Sequence, residues 1–176
     1  MTAPPPRLHR ATPEDVRGIA SVQVRAWRAA YAGIVPAAFL DALSVDEREA
    51  RWRRNLAELE AETWVAASDG EVVGWATIGG CRDADATPAL GELWAIYVSP
   101  DSWRGGVGRA LWEHGRARLA STGCTEAVVW VLADNVPARR FYAALGFAPA
   151  PDLTKTIEIG GAPLREVRLR CPRLGG

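Results

Sequence analysis

Residues 126–132, EAVVWVL, carry apolar side chains at nearly every position, so an extended chain here has no face suited to water. Such a strand is covered on both sides, inside an open sheet with helices against each face. The adjoining segments supply those helices. Val107, Leu111, Gly115 and Leu119 lie on one stripe of a helix over about 106–120, and Ala138, Phe141, Tyr142 and Leu145 recur at i, i+3, i+4 and i+7. Pro137 fits the first turn of the second helix and Gly146 its C-terminal cap. The strand before the first helix is ELWAIYVS, and strand, helix, strand in that order makes a parallel pair joined by a right-handed crossover.

The N-terminal half reads as helices and a hairpin. RLHR is a short strand; Thr12 is a candidate N-cap with Pro13 at the first helical position, and the helix runs to about residue 32. GIVP breaks it. A short helix over about 37–43 and a charged one over about 45–59 follow, the latter capped by Ser44 with Glu47 three residues on. In TWVAASDGEVVGWATIGG two β-rich runs flank Asp69-Gly70, a pair suited to the positive φ of a tight hairpin. LREVRLR alternates and ends the sheet. The fold class is therefore α/β: one domain over residues 7–172 between short tails, 1–6 and 173–176, with a mixed, mostly antiparallel sheet and helices on both faces.

Composition removes several function classes. With 48% hydrophobic residues, 24% charged and a net charge of zero, the chain has no long-range attraction for nucleic acid or an anionic membrane. Any anion site is local. Cys81, Cys124 and Cys171 are widely spaced without a CxxC pair, and His9 and His114 are the only histidines, so neither a disulfide framework nor a metal site is expected. That usage, with no signal-peptide pattern in MTAPPPRLHR, fits a reducing cytoplasmic setting.

One local candidate stands out: SPDSWRGGVGRAL, three glycines and two arginines between strand and helix. It lacks the GxxxxGK[ST] of a P-loop, and Gly106-Val107-Gly108-Arg109-Ala110-Leu111 lacks the third glycine of a dinucleotide fingerprint. The residues allow a diphosphate site made of helix N-terminal amides with Arg104 and Arg109 beside them. Spacing alone equally allows a glycine-eased turn.

GELWAIYVSPDSW, RGGVGRAL and NVPARRFYAALGF, in this order and at this separation, resemble the acetyl-CoA-binding motifs of the GCN5-related N-acetyltransferases. The resemblance spans nearly the whole chain and implies a central parallel strand pair that splays at the cofactor site. The family's loop reads Arg or Gln, two residues, Gly, one residue, then Gly or Ala; Gly106 and Gly108 match, while Trp103 departs from the pattern and Arg104 carries the charge one place later. By this resemblance the cofactor is acetyl-CoA. Its pyrophosphate lies on the loop (Trp103, Arg104, Gly105, Gly106, Val107, Gly108, Arg109), its pantetheine arm pairs with Ile96, Tyr97 and Val98, and Asn135, Ala138, Arg139 and Tyr142 meet it from the second helix.

The implied chemistry is acetyl transfer to a primary amine of a small molecule, a peptide N-terminus or a lysine. An alkylamine, with pKa near ~10.4, must lose a proton before it attacks. Glu92 is the candidate base, as a carboxylate whose apolar neighbours raise its pKa; the other reading is an exposed strand-edge glutamate. Tyr142 stands where the family's motif places the donor to the departing thiolate, although periodicity alone makes it a core residue. The Val98 N–H, at a bulge, is expected to hold the tetrahedral intermediate. Direct attack in a ternary complex is expected, since no cysteine falls in the motifs. Trp27, Tyr31 and Phe39 resemble the segment that covers the acceptor, or are simply core. The working unit is a monomer or homodimer, and the alternative function is a non-catalytic acyl-CoA sensor, which needs the loop and Asn135 but neither Glu92 nor Tyr142.

Overall fold

The computed structural model describes residues 6–175 except residue 59. Seven strands form one sheet in the order β1-β2-β3-β4-β5-β7-β6. These are β1 (Arg7–Arg10), β2 (Glu62–Ser68), β3 (Glu71–Gly80), β4 (Leu90–Val98), β5 (Glu126–Leu132), β6 (Ala148–Ile159) and β7 (Ala162–Cys171). All neighbours are antiparallel except β4 and β5. The helices are α1 (Val16–Ala30), α2 (Ala37–Asp41), α3 (Val45–Glu58), α4 (Val107–Ser121) and α5 (Val136–Ala144).

The apolar run of β5 has the two-sided cover its composition requires. Ala127, Val129 and Val131 pack with Leu111, Trp112 and Leu119 of α4 and with Tyr142 and Phe147, whereas Leu132 faces Val35 and Leu40 near α2. Beside them α1 and α3 close over β2 and β3 through Val16, Ile19, Trp52 and Trp75, the two indoles meeting edge to face at 4.7 Å. Burial of each aliphatic side chain contributes roughly 1.5–3 kcal/mol, so helix placement follows the stripes. The helices α4 and α5 approach at Gly108, where an added Cβ would lie 2.9 Å from Phe141 Cζ.

Two expectations need correction here. LREVRLR does not end the sheet in space: β7 lies between β5 and β6, and β6 is the edge, because the β6–β7 hairpin folds outward. Residues 173–175 are not a loose tail, since Leu174 is buried and its N–H donates to the Thr125 carbonyl at 2.9 Å. The expected tail at 1–6 falls outside the described residues except for Pro6. The hairpin turn is as expected, with φ of 51° at Asp69 and 82° at Gly70.

The parallel pairing of β4 with β5 is short. It extends only over Leu90–Glu126, Gly91–Ala127 and Glu92–Val128, after which the strands part. Burial changes at the same point: Leu90 to Leu93 are buried, and Trp94 to Val98 are only half covered. The bulge is not at Val98. It lies at Trp94, where the β3 register passes from Ala95 to Leu93 and leaves Trp94 without a partner.

A carboxylate ties α4 to the sheet. Glu62 of β2 accepts from Arg118 Nε and Nη2 at 3.0 and 2.7 Å and from Trp64 Nε1 at 3.0 Å, and Arg10 of β1 stands 3.3 Å away. The Arg118 hydrogen bonds, with Trp64 and Arg10 assisting, hold its pKa down at about 2. A folded-state pKa below the unfolded value means stability that is full above the ordinary glutamate pKa and lost as pH falls toward the folded one. The contribution is at most about 3 kcal/mol. Glu62→Gln should therefore unfold several degrees below wild type at pH 7, with the difference narrowing by roughly half at pH 3. Thermal unfolding at the two pH values measures it, and equal stability at pH 7 would remove Glu62 as the tie.

Candidate active site

The gap between β4 and β5 is lined by main chain. The Ser99 N–H donates to the Val73 carbonyl at 2.8 Å, and Tyr97 lies opposite Trp75 in the same antiparallel ladder. Antiparallel alternation then turns the amides of Val98 and Ile96 away from β3, into the gap, and commits those of Tyr97 to β3. Of the three residues expected to pair with a pantetheine arm, Ile96 and Val98 have backbone groups free to do so, whereas the Tyr97 backbone is committed to β3 and its side chain packs against Trp27, Tyr31 and Trp75. The Val98 carbonyl accepts from Trp103 Nε1 at 2.8 Å, which leaves its N–H as the open group. Trp103 thus uses the position where an Arg or Gln was expected to fix the end of β4, with its ring 45% exposed.

At the end of the gap the loop forms an anion cradle. Arg104 (φ 62°) and Gly106 (φ 83°) take left-handed conformations, which turn the chain so that α4 starts with its amides outward. Among the described residues the N–H groups of Arg104, Gly106, Val107, Gly108 and Arg109 have no main-chain acceptor, and no side chain caps the helix; Gly105 donates weakly to Ser102 and Ala110 is the first amide bonded within the helix. Gly108 sits against Val98 and Phe141, so the cradle adjoins the gap. A diphosphate fits this set, because unpaired amides at a helix N-terminus point their positive ends at it. The two arginines divide. Arg104 has no side-chain partner here, whereas Arg109 reaches the Ala144 carbonyl of α5 at 3.4 Å.

The opposite wall is α5. The Asn135 Oδ1 caps it by accepting the Ala138 N–H at 3.2 Å, and Arg139 Nη1 donates to the Ala133 carbonyl at 3.2 Å, so both side chains shape the turn between β5 and α5. Tyr142 is buried against Phe141 and Phe147, and among the described residues its hydroxyl has no hydrogen-bond partner. Burial, with Tyr97 near it, pushes this phenol well above the usual tyrosine range.

Trp27, Tyr31 and Phe39 come together in a partly buried aromatic cluster. Trp27 lies 5.0 Å from Tyr31, 6.2 Å from Phe39 and 6.4 Å from Tyr97, centroid to centroid, and the Tyr31 and Tyr97 hydroxyls stand 3.4 Å apart. Burial raises the pKa of both phenols. The buried Trp27 N–H approaches Tyr97 closely enough to favour the phenolate but falls short of hydrogen-bond geometry, so it is unpaired. The cluster also packs on Val35, Leu40 and Leu132, which makes it the rim of a core as well as a wall.

Glu92 differs from both sequence readings. It is 2% exposed, yet its neighbours are not apolar: the Arg82 main-chain N–H and Nε donate to Oε2 at 3.0 and 3.1 Å, and Arg82 Nη2 to Oε1 at 2.5 Å. Arg82 in turn lies 4.1 Å over the Trp94 ring. Sequence reasoning missed Arg82, whose loop position gives no periodic signal. It also missed Arg168, buried on β7 opposite Trp130, which pairs with Asp83 and Asp85; the Trp130 N–H bonds Asp83 and the Lys155 ammonium lies over the Trp130 ring. Cys81, Asp83 and Asp85 place their ligand-type atoms within 4.8 Å of one another, and Arg168 meets their charge.

A parallel strand pair that parts beside a glycine-led helix N-terminus is the arrangement that the resemblance to the GCN5-related N-acetyltransferases implies. The sequence profile described as acetyltransferase (GNAT) family matches residues 24–147. An uncharacterized N-acetyltransferase of Bacillus subtilis (strain 168), YuaI, is 34% identical over 95% of this chain and 93% of its own. A GCN5-related N-acetyltransferase from Rhodopseudomonas palustris superposes with TM-score 0.77 at 23% identity, covering 98% of each chain. The PaiA N-acetyltransferase of Thermoplasma acidophilum, solved in complex with coenzyme A, gives TM-score 0.69 at 18% identity, over 91% of this chain and 96% of that one. The chain belongs to the GNAT family and is an acetyltransferase. Among the described residues no helix is long and apolar enough to cross a membrane.

The cap at Asn135 is testable by itself. Asn135→Ala should cost about 1 kcal/mol, seen as a fall of roughly 2–4 °C in the thermal midpoint. An unchanged midpoint would mean that this side chain serves a ligand only.

Proposed function

We propose that this enzyme transfers an acetyl group from acetyl-CoA to a primary amine by direct attack in a ternary complex. The observation that carries the reading is the run of unpaired amides at the start of α4, beside the gap where β4 and β5 part. The coenzyme A bound in the PaiA structure and the N-acetyltransferase name of YuaI support it. Acetyl-CoA would supply a thioester carbonyl as the electrophile.

Residues of this chain account for the remaining steps. The amides of residues 104 and 106–109 hold a diphosphate, and the open groups of Ile96 and Val98 align an extended arm as an added strand would be aligned. The Val98 N–H donates to the carbonyl oxygen as it gains negative charge. Tyr142, weaker as an acid than a thiol because burial raises its pKa, donates a hydrogen bond to the leaving sulfur and does not surrender its proton outright. Glu92 takes the amine's proton through water, with Arg82 holding the carboxylate in place. The cysteines fit an acyl-enzyme poorly: Cys124 and Cys171 are buried, and burial pushes the Cys81 thiol up, away from the reactive thiolate.

Titration with acetyl-CoA, then thiol release measured over a panel of amines, tests the reading; saturable binding with amine-dependent release is expected, and binding without release from any amine counts against it. Tyr142→Phe should lower kcat by about 10-fold to 100-fold while leaving acetyl-CoA affinity nearly unchanged. Gly106→Asp forces a side chain into a left-handed position and places a carboxylate at the cradle, so acetyl-CoA affinity should fall by roughly 10-fold or more. Equal affinities by calorimetry would refute the loop assignment.

A further inference from the structure

Among the described residues the half-buried guanidinium of Arg48, beside the Trp27 cluster, has no hydrogen-bonded partner. Arg48 of α3 is half-buried, and its carbon lies over the Trp27 ring at 5.1 Å. Arg82, Arg118 and Arg168 each meet a carboxylate at hydrogen-bond distance; among the described residues Arg48 meets neither a carboxylate nor a carbonyl. A ring beneath a guanidinium leaves its planar fork of N–H donors free, and a fork of that shape matches a carboxylate or phosphate. Burying a cation without a counter-charge is costly, so an unpaired one beside a cavity marks a place for an anion.

The cavity is there. A groove of about 440 Å³ runs between α2 and α3, lined by Phe39, Leu43, Ser44, Glu47, Arg48 and Arg51. Two arginines against one glutamate make its wall positive, and Glu47 acts on Arg48 only at longer range. Burial and the neighbouring Arg51 charge disfavour the cation of Arg48, and Tyr97 and Glu47 favour it at longer range. Phe39 and Arg48 line the groove and both touch Trp27, whose ring also contacts Tyr31 and Tyr97 at the gap. The unpaired Trp27 N–H lies within this contact set. Trp27 thus links the groove to the cluster that Tyr97 of β4 joins.

We infer that the acceptor amine carries an anionic group, a carboxylate or phosphate several bonds from the nitrogen, that is bound by Arg48 with Arg51 in the groove between α2 and α3. This rests on the acyl-transfer reading above and names the class of its acceptor. The anion lies in the groove, the chain of the acceptor passes Trp27, and the amine reaches the gap beside Tyr97. Arg48 is a specificity residue: it anchors the far end of the acceptor and takes no part in proton movement.

The test uses matched amines: 6-aminohexanoate against hexylamine, and 6-aminohexyl phosphate against 6-aminohexanol. Thiol release gives KM and kcat with acetyl-CoA saturating, and calorimetry on the coenzyme A-loaded enzyme gives binding whether or not transfer follows. At least one anionic amine should exceed its uncharged match by 10-fold or more in kcat/KM, mostly through KM, and the pair that does so tells carboxylate from phosphate. Arg48→Gln should abolish that preference with kcat little changed, Arg48→Lys should restore part of it, and acetyl-CoA affinity and thermal midpoint should stay near wild type in both. The inference is overturned by equal use of charged and uncharged amines, by a preference that survives Arg48→Gln, or by absence of saturable binding of both anionic amines. Failure of wild type to bind acetyl-CoA would instead bring down the acyl-transfer reading on which it stands.

Discussion

The structure depends on the early end of one strand pairing. β4 and β5 bond at three consecutive register positions, to Glu92–Val128, and then separate. Buried backbone groups are almost always paired, so an interior sheet that stops pairing leaves donors and acceptors that something must satisfy. Trp103 satisfies one of them, the Val98 carbonyl. The remaining groups face the gap, open to the hydrogen-bonding groups of a ligand. The bulge at Trp94 makes this possible, because it resets the register with β3 while the far edge of β4 turns away from β5.

Every other feature of the site is placed relative to that gap. The positive end of α4 closes it on one side, held by the Glu62 contacts with Arg118 and by the close approach of α4 to α5 at Gly108. The Asn135 cap and Pro137 start α5 soon after β5, which sets Tyr142 in the core between α5 and the sheet. On the other side the aromatic cluster of Trp27, Tyr31, Phe39 and Tyr97 joins α1 and α2 to β4. A molecule of zero net charge therefore concentrates its function in local fields, and these arise where charge or amide is left unpaired. Glu92, Glu62, Asp83 and Asp85 all have arginine partners, which is why an arginine without one is informative.

Much of the frame was legible. The stripe Val107, Leu111, Gly115, Leu119 and the two-sided run of β5 each bury as their periodicity demands, since a 3.6-residue stripe or an all-apolar strand has few ways to leave water. Asp69-Gly70 and Gly146 occupy the positive-φ positions their chemistry suits. Glu92 was harder. Its sequence neighbours are apolar, but the guanidinium that pairs with it comes from a loop ten residues away, and no local pattern encodes that contact. The bulge, expected at Val98 and found at Trp94, was equally hidden, because a one-residue slip between antiparallel strands depends on how both pack. Tyr97 shows the same limit: whether its backbone groups face β3 or the gap is a matter of ladder parity.

The sequence by itself determined the order of elements, the glycine-led start of α4, the cap and proline that begin α5, and the absence of any overall charge bias, since each follows from local propensity, periodicity or counting. Only the tertiary structure decided where β4 leaves β5, which backbone groups face the gap, that Arg82 holds Glu92, and that Arg48 stands unpaired over Trp27. Those depend on contacts between residues far apart in the chain, whose energies are set by distance and burial after packing and leave no trace in the spacing of letters.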